Sequence, residues 1–420
     1  MKRQKRWSRL DNAAKIFPPT SGKNDTKVFR FSCELYEIVE ENALQTALDR
    51  TLERFPIFRS VLKRGFFWYY LEDSDIKPLV RQEYRRPCPL IYSGDSKELL
   101  FEVTYYKKRI NFEVYHALTD GSGALQFIRT LAFHYLTEKH CGNTATRPVL
   151  TDYDASAEQK RLDSFSKYYT KNKAKQKNKR IKAFKIRGEL FPDHKLSIIE
   201  GKLPLSAVLS KSRELGATVS EFLSAILIHS IHEVMPLNDE NKPVAISIPV
   251  NLRKYFPSES ARNFFGIVNI CHNFKTQGQS FEDVLLSVKS SFSEQLTIDK
   301  IKERMNELAA FEHNLAINIV PLFIKNLALK IANAYSEAEV TAAFSNIGRV
   351  TMPDEIANYI HAFDLFSSTK RLQICLCSYG DTLMLSFTSP FISTDVQCHF
   401  FRKLTSCGIE AVIHSNQLKS

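Results

Sequence analysis

The sequence predicts an α/β protein made of two similar sheet-and-helix sandwiches that face each other. Three observations lead there. Strand-like and helix-like periodicities alternate along most of the chain, the pattern that mixed layered folds produce. The alternation breaks once, at a basic run between Lys167 and Arg187 that contains no acidic residue, and then resumes. At 420 residues the chain is also too long for one ordinary core, so two units of about 200 residues are expected. The expected divisions are residues 1–165, a basic crossover over 166–195, and residues 196–420.

In the first half the stretch 28–35 reads as a strand. Residues 42–55 read as a helix, with Leu44, Ala47, Leu48, Leu52 and Phe55 on one side. Strands are expected within 57–71, and a hairpin over 99–105 and 110–115 joined by the basic turn 106–109. Ala124, Leu125, Ile128, Leu131, Ala132 and Tyr135 then recur at helical spacing, to about residue 139.

The second half opens with a strand near 198–203, a short helix over 205–215 and a longer one over 219–234. The run Val244-Ala245-Ile246-Ser247-Ile248-Pro249 suits a buried strand. Residues 315–335 are the most apolar stretch. Asn318, Pro321, Lys325, Asn326 and Lys330 interrupt it too often for a membrane span, so it reads as a buried amphipathic helix broken near Pro321. Strands at 373–377 and 382–387 form a hairpin over Tyr379-Gly380-Asp381, and 394–407 reads as a closing helix.

Between the first hairpin and the helix after it lies Tyr115-His116-Ala117-Leu118-Thr119-Asp120-Gly121, an H-x-x-x-D-G at a strand-to-helix junction. Such a junction holds a side chain on a rigid scaffold yet aims it outward, as a general base requires. A histidine titrates at about 6.5 when unperturbed, which suits proton abstraction at neutral pH. Asp120 can fix the turn and Gly121 lets the backbone bend tightly.

Further segments occur in order along the chain: Arg9-Leu10-Asp11-Asn12-Ala13-Ala14-Lys15-Ile16-Phe17-Pro18, Pro249-Val250-Asn251-Leu252-Arg253, Asn263-Phe264-Phe265-Gly266 and Ser345-Asn346-Ile347-Gly348. Together with the histidine motif they resemble the superfamily of chloramphenicol acetyltransferase, carnitine acyltransferases, nonribosomal-peptide condensation domains, wax ester synthases and alcohol acetyltransferases. The opening segment is similar to that of bacterial alcohol-acetyltransferase-like proteins. Many members carry a second histidine where this chain has Tyr115, and the D-F-G-W-G segment of the plant BAHD branch is absent.

The resemblance implies a pseudo-dimer of two chloramphenicol-acetyltransferase-like halves with a central tunnel and His116 at its middle. It implies transfer of an acyl group, acetyl among them, from coenzyme A to an alcohol or amine, with His116 as general base in a ternary complex. Asp120 would then organise the loop by pairing with Arg253, expected as a bidentate carboxylate–guanidinium contact. The Gly121 amide, the Ser345 hydroxyl and the Asn346 amide would serve the oxyanion or the substrate. Acyl-CoA is a cosubstrate here, and no permanently bound cofactor is implied. A carrier-protein-dependent condensation or ester-forming enzyme would use the same histidine, with an acyl carrier protein meeting the basic strip. A non-catalytic binding module that keeps the fold is the third reading, and a membrane-associated wax-ester-type enzyme would need an apolar surface patch.

Other classes find no support. There is no serine or cysteine elbow of the G-x-S-x-G kind, no Walker A loop and no Rossmann glycine motif. His229, His232 and Glu233 lack the H-E-x-x-H pattern and a third ligand, so a metal site is not expected. The net charge of +12 is concentrated in the basic run, whose aromatic residues Tyr168, Tyr169 and Phe184 only flank it, unlike a nucleic-acid surface. Eight cysteines form no C-x-x-C pair and no disulfide framework, which fits a reducing cytoplasm. Cys375 and Cys377 are expected on one buried strand face. No signal peptide is legible at the start.

Overall fold

The computed structural model describes residues 6–94, 97–141, 164–170, 182–313 and 319–416. Two large sheets organise it. The first has five strands in the order Ile360–Ser367, Val28–Leu35, Arg109–Tyr115, Phe101–Tyr106 and Arg81–Gln82. Helices Glu41–Arg54 and Gly121–Leu136 pack on one of its faces and on each other. Phe127 from the second helix stacks on Phe112 of the sheet with ring centroids 4.4 Å apart, and both side chains are fully buried. Burying a side chain of this size contributes about 1.5–3 kcal/mol, so this layer is a major source of cohesion.

The second sheet has seven strands in the order Phe265–His272, Val244–Asn251, Ala342–Val350, Gln373–Tyr379, Thr382–Ser389, Ser197–Pro204 and Val412–Ser415. Helices Val219–His232, Phe281–Gln295 and Asp395–Ser406 cover it. Local chemistry starts two of them: Thr218 with Glu221, and Ser280 with Asp283, form reciprocal caps over exposed N–H groups. The last helix does not close the chain, because Val412–Ser415 follows and pairs with Ser197–Pro204 at the sheet edge.

Strand Ile360–Ser367 crosses between the halves. It lies far along the sequence, yet it pairs antiparallel with Val28–Leu35 in the first sheet, with Phe363 opposite Cys33. It also packs against Gln373–Tyr379 and Thr382–Ser389 of the second sheet. A division at 196–420 therefore cuts across one sheet, since this strand completes the first half. Cys375, Cys377 and Met384 of the second sheet are buried in the same apolar cluster as Phe363 and Leu365, so the sheets share a core here.

The basic run behaves as a crossover between packed ends. Phe165, before it, is buried 5.2 Å from Phe264, and Phe184, near its end, is buried in the second core. Its central part, 171–181, lies outside the described residues.

The apolar stretch at 315–335 departs most from expectation. The helix begins after Pro321 and runs Leu322–Ala338, but it is not buried. Of its side chains only Leu322 and Lys325 are fully covered. It packs on Phe17–Thr20 and beside the small three-stranded sheet formed by Trp7–Arg9, Tyr69–Asp73 and Ser60–Arg64. Its polar residues find partners there: Lys325 donates to the Phe67 carbonyl and lies 3.5 Å from the Trp68 ring, and Asn326 donates to the Tyr69 hydroxyl. Lys325 and Asn326 thus face inward beside Leu322, while Phe323, Ile324, Leu327, Ile331 and Tyr335 are exposed. Among the described residues no single helix is long and apolar enough to cross a membrane. Helices Leu205–Glu214 and Val219–His232 reach that length and apolarity only together, and they bend by 84°.

Candidate active site

The first hairpin places His116. Its strands are Phe101–Tyr106 and Arg109–Tyr115, joined through Lys107 in a left-handed turn conformation. Where the second strand ends, the His116 amide donates to the Lys27 carbonyl at 2.8 Å and anchors the residue to the neighbouring strand. The ring stacks on Phe17 at 4.4 Å and also meets Phe29 at 4.9 Å and Phe265 at 5.6 Å. Aromatic rings thus line three sides of the imidazole as a cage. Burial pushes the His116 pKa below its ordinary 6.5, partly opposed by the charge of Asp120. The imidazole is therefore neutral at physiological pH.

Asn263 orients that imidazole. Its Nδ2 donates to the His116 carbonyl at 3.0 Å and to Asp11 Oδ2 at 3.4 Å. Both partners only accept, which fixes the amide orientation and leaves Oδ1 3.3 Å from His116 Nδ1. Oδ1 can only accept in turn, so the network assigns the proton to Nδ1 and leaves a lone pair on Nε2. Asp11, fully buried, supports the clamp further. It accepts from the Asn263 amide at 3.3 Å and the Ala14 amide at 2.8 Å, and it lies 3.5 Å from Arg262 Nε.

Asp120 locks the loop through both oxygens. Oδ1 caps helix Gly121–Leu136 by accepting from the Gly123 amide at 2.9 Å. Oδ2 accepts from Arg253 Nη1 and from the Phe264 amide, both at 2.7 Å. The pair with Arg253 forms, but through one nitrogen. The bidentate contact is excluded because one carboxylate oxygen is engaged by the cap and Arg253 Nε and Nη2 donate to the Ser260 carbonyl at 3.1 and 2.9 Å. The guanidinium thereby braces the 260–264 loop of the second half against the histidine loop of the first.

Two glycines let these surfaces meet. A Cβ on Gly123 would lie 2.1 Å from the Ala261 carbonyl oxygen and 2.2 Å from Thr119 Oγ1, so the helix and the 260–264 loop touch only because it is bare. A Cβ on Gly121 would meet Ile347 Cδ1 at 2.6 Å. That contact brings the Ser345-Asn346-Ile347-Gly348 segment to the start of the same helix. Gly348 has φ +90° beside a bulge in strand Ala342–Val350, and Asn346 stabilises the bulge by accepting from the Gly348 amide at 2.8 Å. The Asn346 amide nitrogen donates to Ser220 Oγ at 2.9 Å. Among the described residues the Ser345 hydroxyl has no hydrogen-bond partner.

His116, Asp120, Gly121 and Arg253 are thus gathered into one network, and Ser345 and Asn346 approach it through Ile347. Phe17, Asp11, Asn263 and Gly123 complete it. None of these four stood out in the sequence by its chemistry, although Asp11, Phe17 and Asn263 fall inside the segments that carried the resemblance. Tyr115, where a second histidine is common, is fully buried, with its hydroxyl 2.8 Å from Ser21 Oγ. His229 and His232 lie apart from the site, near Glu233 at 3.7 Å and stacked on Phe274 at 3.7 Å respectively.

The chain thus consists of a five-stranded and a seven-stranded half, tied by a strand that crosses between them and locked across the His116–Gly121 loop, and solved acetyltransferases and condensation domains have the same fold. The chain has that fold. It superposes on the trichothecene 15-O-acetyltransferase TRI3 of Fusarium sporotrichioides with TM-score 0.63 at 12% identity, covering 96% of this chain and 95% of that one. TRI101 of F. graminearum, solved with coenzyme A and T-2 mycotoxin, gives TM-score 0.65 at 11% identity over 97% and 99%. The first condensation domain of the calcium-dependent antibiotic synthetase, in complex with a substrate analogue, gives 0.62 at 12% over 97% and 99%. No protein-family model and no curated protein matches the sequence.

Proposed function

We propose that the protein is an acyltransferase that moves an acyl group, acetyl among the candidates, from a coenzyme A thioester to an alcohol or amine. The observation that carries the reading is the Asn263 Oδ1 contact to His116 Nδ1 at 3.3 Å, which leaves Nε2 as the basic nitrogen of a ring packed among Phe17, Phe29 and Phe265. In this reaction the acceptor hydroxyl or amine gives its proton to His116 Nε2 as its oxygen or nitrogen attacks the thioester carbonyl carbon. The tetrahedral oxyanion collapses, the carbon–sulfur bond breaks, and the imidazolium returns the proton to the departing thiolate. No acyl-enzyme forms. Asp120 and Arg253 are positioning residues that hold the loop. The unpartnered Ser345 hydroxyl is the oxyanion donor in this reading, while Gly121 and Asn346 shape the backbone around it. That solved structures of this fold include TRI101 with coenzyme A supports the choice of donor.

The test is release of free thiol by the purified chain from acetyl- and longer acyl-CoA, against a panel of alcohols and amines, with His116→Ala alongside. Acceptor-dependent release that falls at least about 10²-fold in the variant supports the reading. Release that the variant leaves unchanged removes His116 as the base. If CoA donors are inert and acyl groups on a phosphopantetheine carrier react, the donor is a carrier protein.

A further inference from the structure

Helix Leu322–Ala338 is amphipathic in the wrong sense for a helix on a globular protein. Its inward face carries Lys325, Asn326, Asn333 and Glu337, each with a polar partner on the body or along the helix. Its outward face presents Phe323, Ile324, Leu327, Ile331 and Tyr335, with Phe323 65% and Leu327 60% exposed. The patch continues past the helix. The Leu322 amide donates to the Phe66 carbonyl at 2.9 Å, which fixes the Phe66–Phe67 hairpin tip beside the helix start, and Phe66 is 73% exposed. Apolar side chains exposed together on one helix and the adjoining hairpin tip mark an interaction site.

The charges around the patch select its partner. From Leu322 to Ser336 the helix has no acidic residue, and Lys330 stands exposed among the apolar side chains. Exposed Arg64 precedes the hairpin tip. On the helix up to Ser336 and on the hairpin tip the exposed charges beside these aromatic and aliphatic side chains are Lys330 and Arg64, a combination that fits an anionic lipid surface, where rings sit at headgroup level and lysines and arginines meet phosphates.

We propose that this face docks on an anionic lipid membrane without crossing it. The placement has a chemical consequence, which rests on the acyl-transfer reading. The same helix packs through its inward side on Phe17–Thr20, and Phe17 stacks on His116, so only that short helix separates the docked helix from the site. The acceptor is therefore a membrane-partitioned apolar alcohol or amine rather than a freely diffusing polar one.

The test is flotation of the full-length chain with phosphatidylcholine vesicles, with and without phosphatidylglycerol. Wild type floats with the phosphatidylglycerol vesicles. Leu327→Glu combined with Ile331→Glu lowers that binding about 10²-fold, and Lys330→Glu about 5-fold. Both variants keep the wild-type circular-dichroism melt, since the altered side chains are exposed. No flotation of wild type, or equal flotation of the double variant, overturns the proposal. So does loss in the double variant of a wild-type dimer seen by sedimentation without vesicle binding, because a second copy would then cover the face. Thiol release with a water-soluble acceptor is unchanged in the double variant, whereas release with a long-chain acceptor held in vesicles falls. Failure of docking is thus distinct from failure of acyl transfer, which shows as no thiol release with any acceptor.

Discussion

Asn263 grips His116 at two points: its Nδ2 donates to the His116 carbonyl at 3.0 Å while its Oδ1 lies 3.3 Å from the ring Nδ1. One amide from the second half thereby sets both the backbone position and the tautomer of a histidine in the first. Asn263→Ala should lower kcat about 10-fold with little change in KM, the equivalent of about one hydrogen bond. Asn263→Asp should retain an acceptor at Nδ1 but lose the donor to the carbonyl. A KM rise with unchanged kcat in Asn263→Ala would place the residue in acceptor binding instead.

The pH dependence follows from the cage. Burial holds the His116 pKa below its ordinary 6.5, so the base form already dominates at that pH. Activity plotted as log kcat/KM should stay level through neutrality and fall only below the ordinary value. Phe17→Ala opens the cage and should move that limb upward. An acid limb well above neutrality in the wild type would contradict the desolvated base.

Asp120 and Arg253 are both largely buried and joined at 2.7 Å. Removing one member of such a pair leaves an uncompensated buried charge, typically about 3–5 kcal/mol of destabilisation. Arg253→Ala should lower Tm accordingly. Arg253→Lys should recover only part, because a single ammonium cannot reach Asp120 and the Ser260 and Arg262 carbonyls together. A double-mutant cycle with Asp120→Asn, read by chemical denaturation, should show strong coupling.

The two glycines of the motif helix should respond differently to alanine. At Gly123 the new methyl would meet backbone oxygen at 2.1 Å, and the structure must open between the halves. At Gly121 it would meet only the far end of Ile347. Gly123→Ala should cost the upper end of the usual overpacking range of about 1–3 kcal/mol, or more, and Gly121→Ala clearly less. Melting curves of the two variants compare them directly.

Asp364, on the crossing strand, is buried and accepts from Ser386. Burial and the neighbouring charge of Glu200 hold its pKa well above its ordinary 3.8. Burial alone would raise Glu200 also, but the hydrogen bond from Asp364 and the charge of Arg109 bring it down. The folded state therefore keeps a proton on Asp364 that the unfolded chain loses. Its contribution is full below the ordinary value and is lost as pH rises through the folded one. Asp364→Asn stays neutral at every pH, so its Tm should exceed that of wild type in alkaline buffer and converge on it in acid.

Much of this molecule was legible in its sequence. The strands expected at 28–35 and 244–249, the helices expected at 42–55 and 219–234, and the two hairpins follow from periodicity and turn residues, because alternation of burial is a local property of a chain on a core. The H-x-x-x-D-G loop was legible for the same reason: Asp120 caps the helix that begins one residue later, and that bond spans only three residues. Its ordered companions, the P-x-x-x-R and N-x-x-G segments, marked the partners without giving their geometry.

Tertiary structure decided the rest. The side chain that fixes the His116 tautomer lies 147 positions away, and no local pattern encodes such a distance. The crossing of Ile360–Ser367 into the first sheet is set by long-range pairing, and its sequence would suit a buried strand in either sheet. The orientation of helix Leu322–Ala338 was decided likewise. Its periodicity defines an apolar stripe, but only the carbonyls and aromatic rings offered to Lys325 and Asn326 by the neighbouring sheet determine that the stripe faces outward.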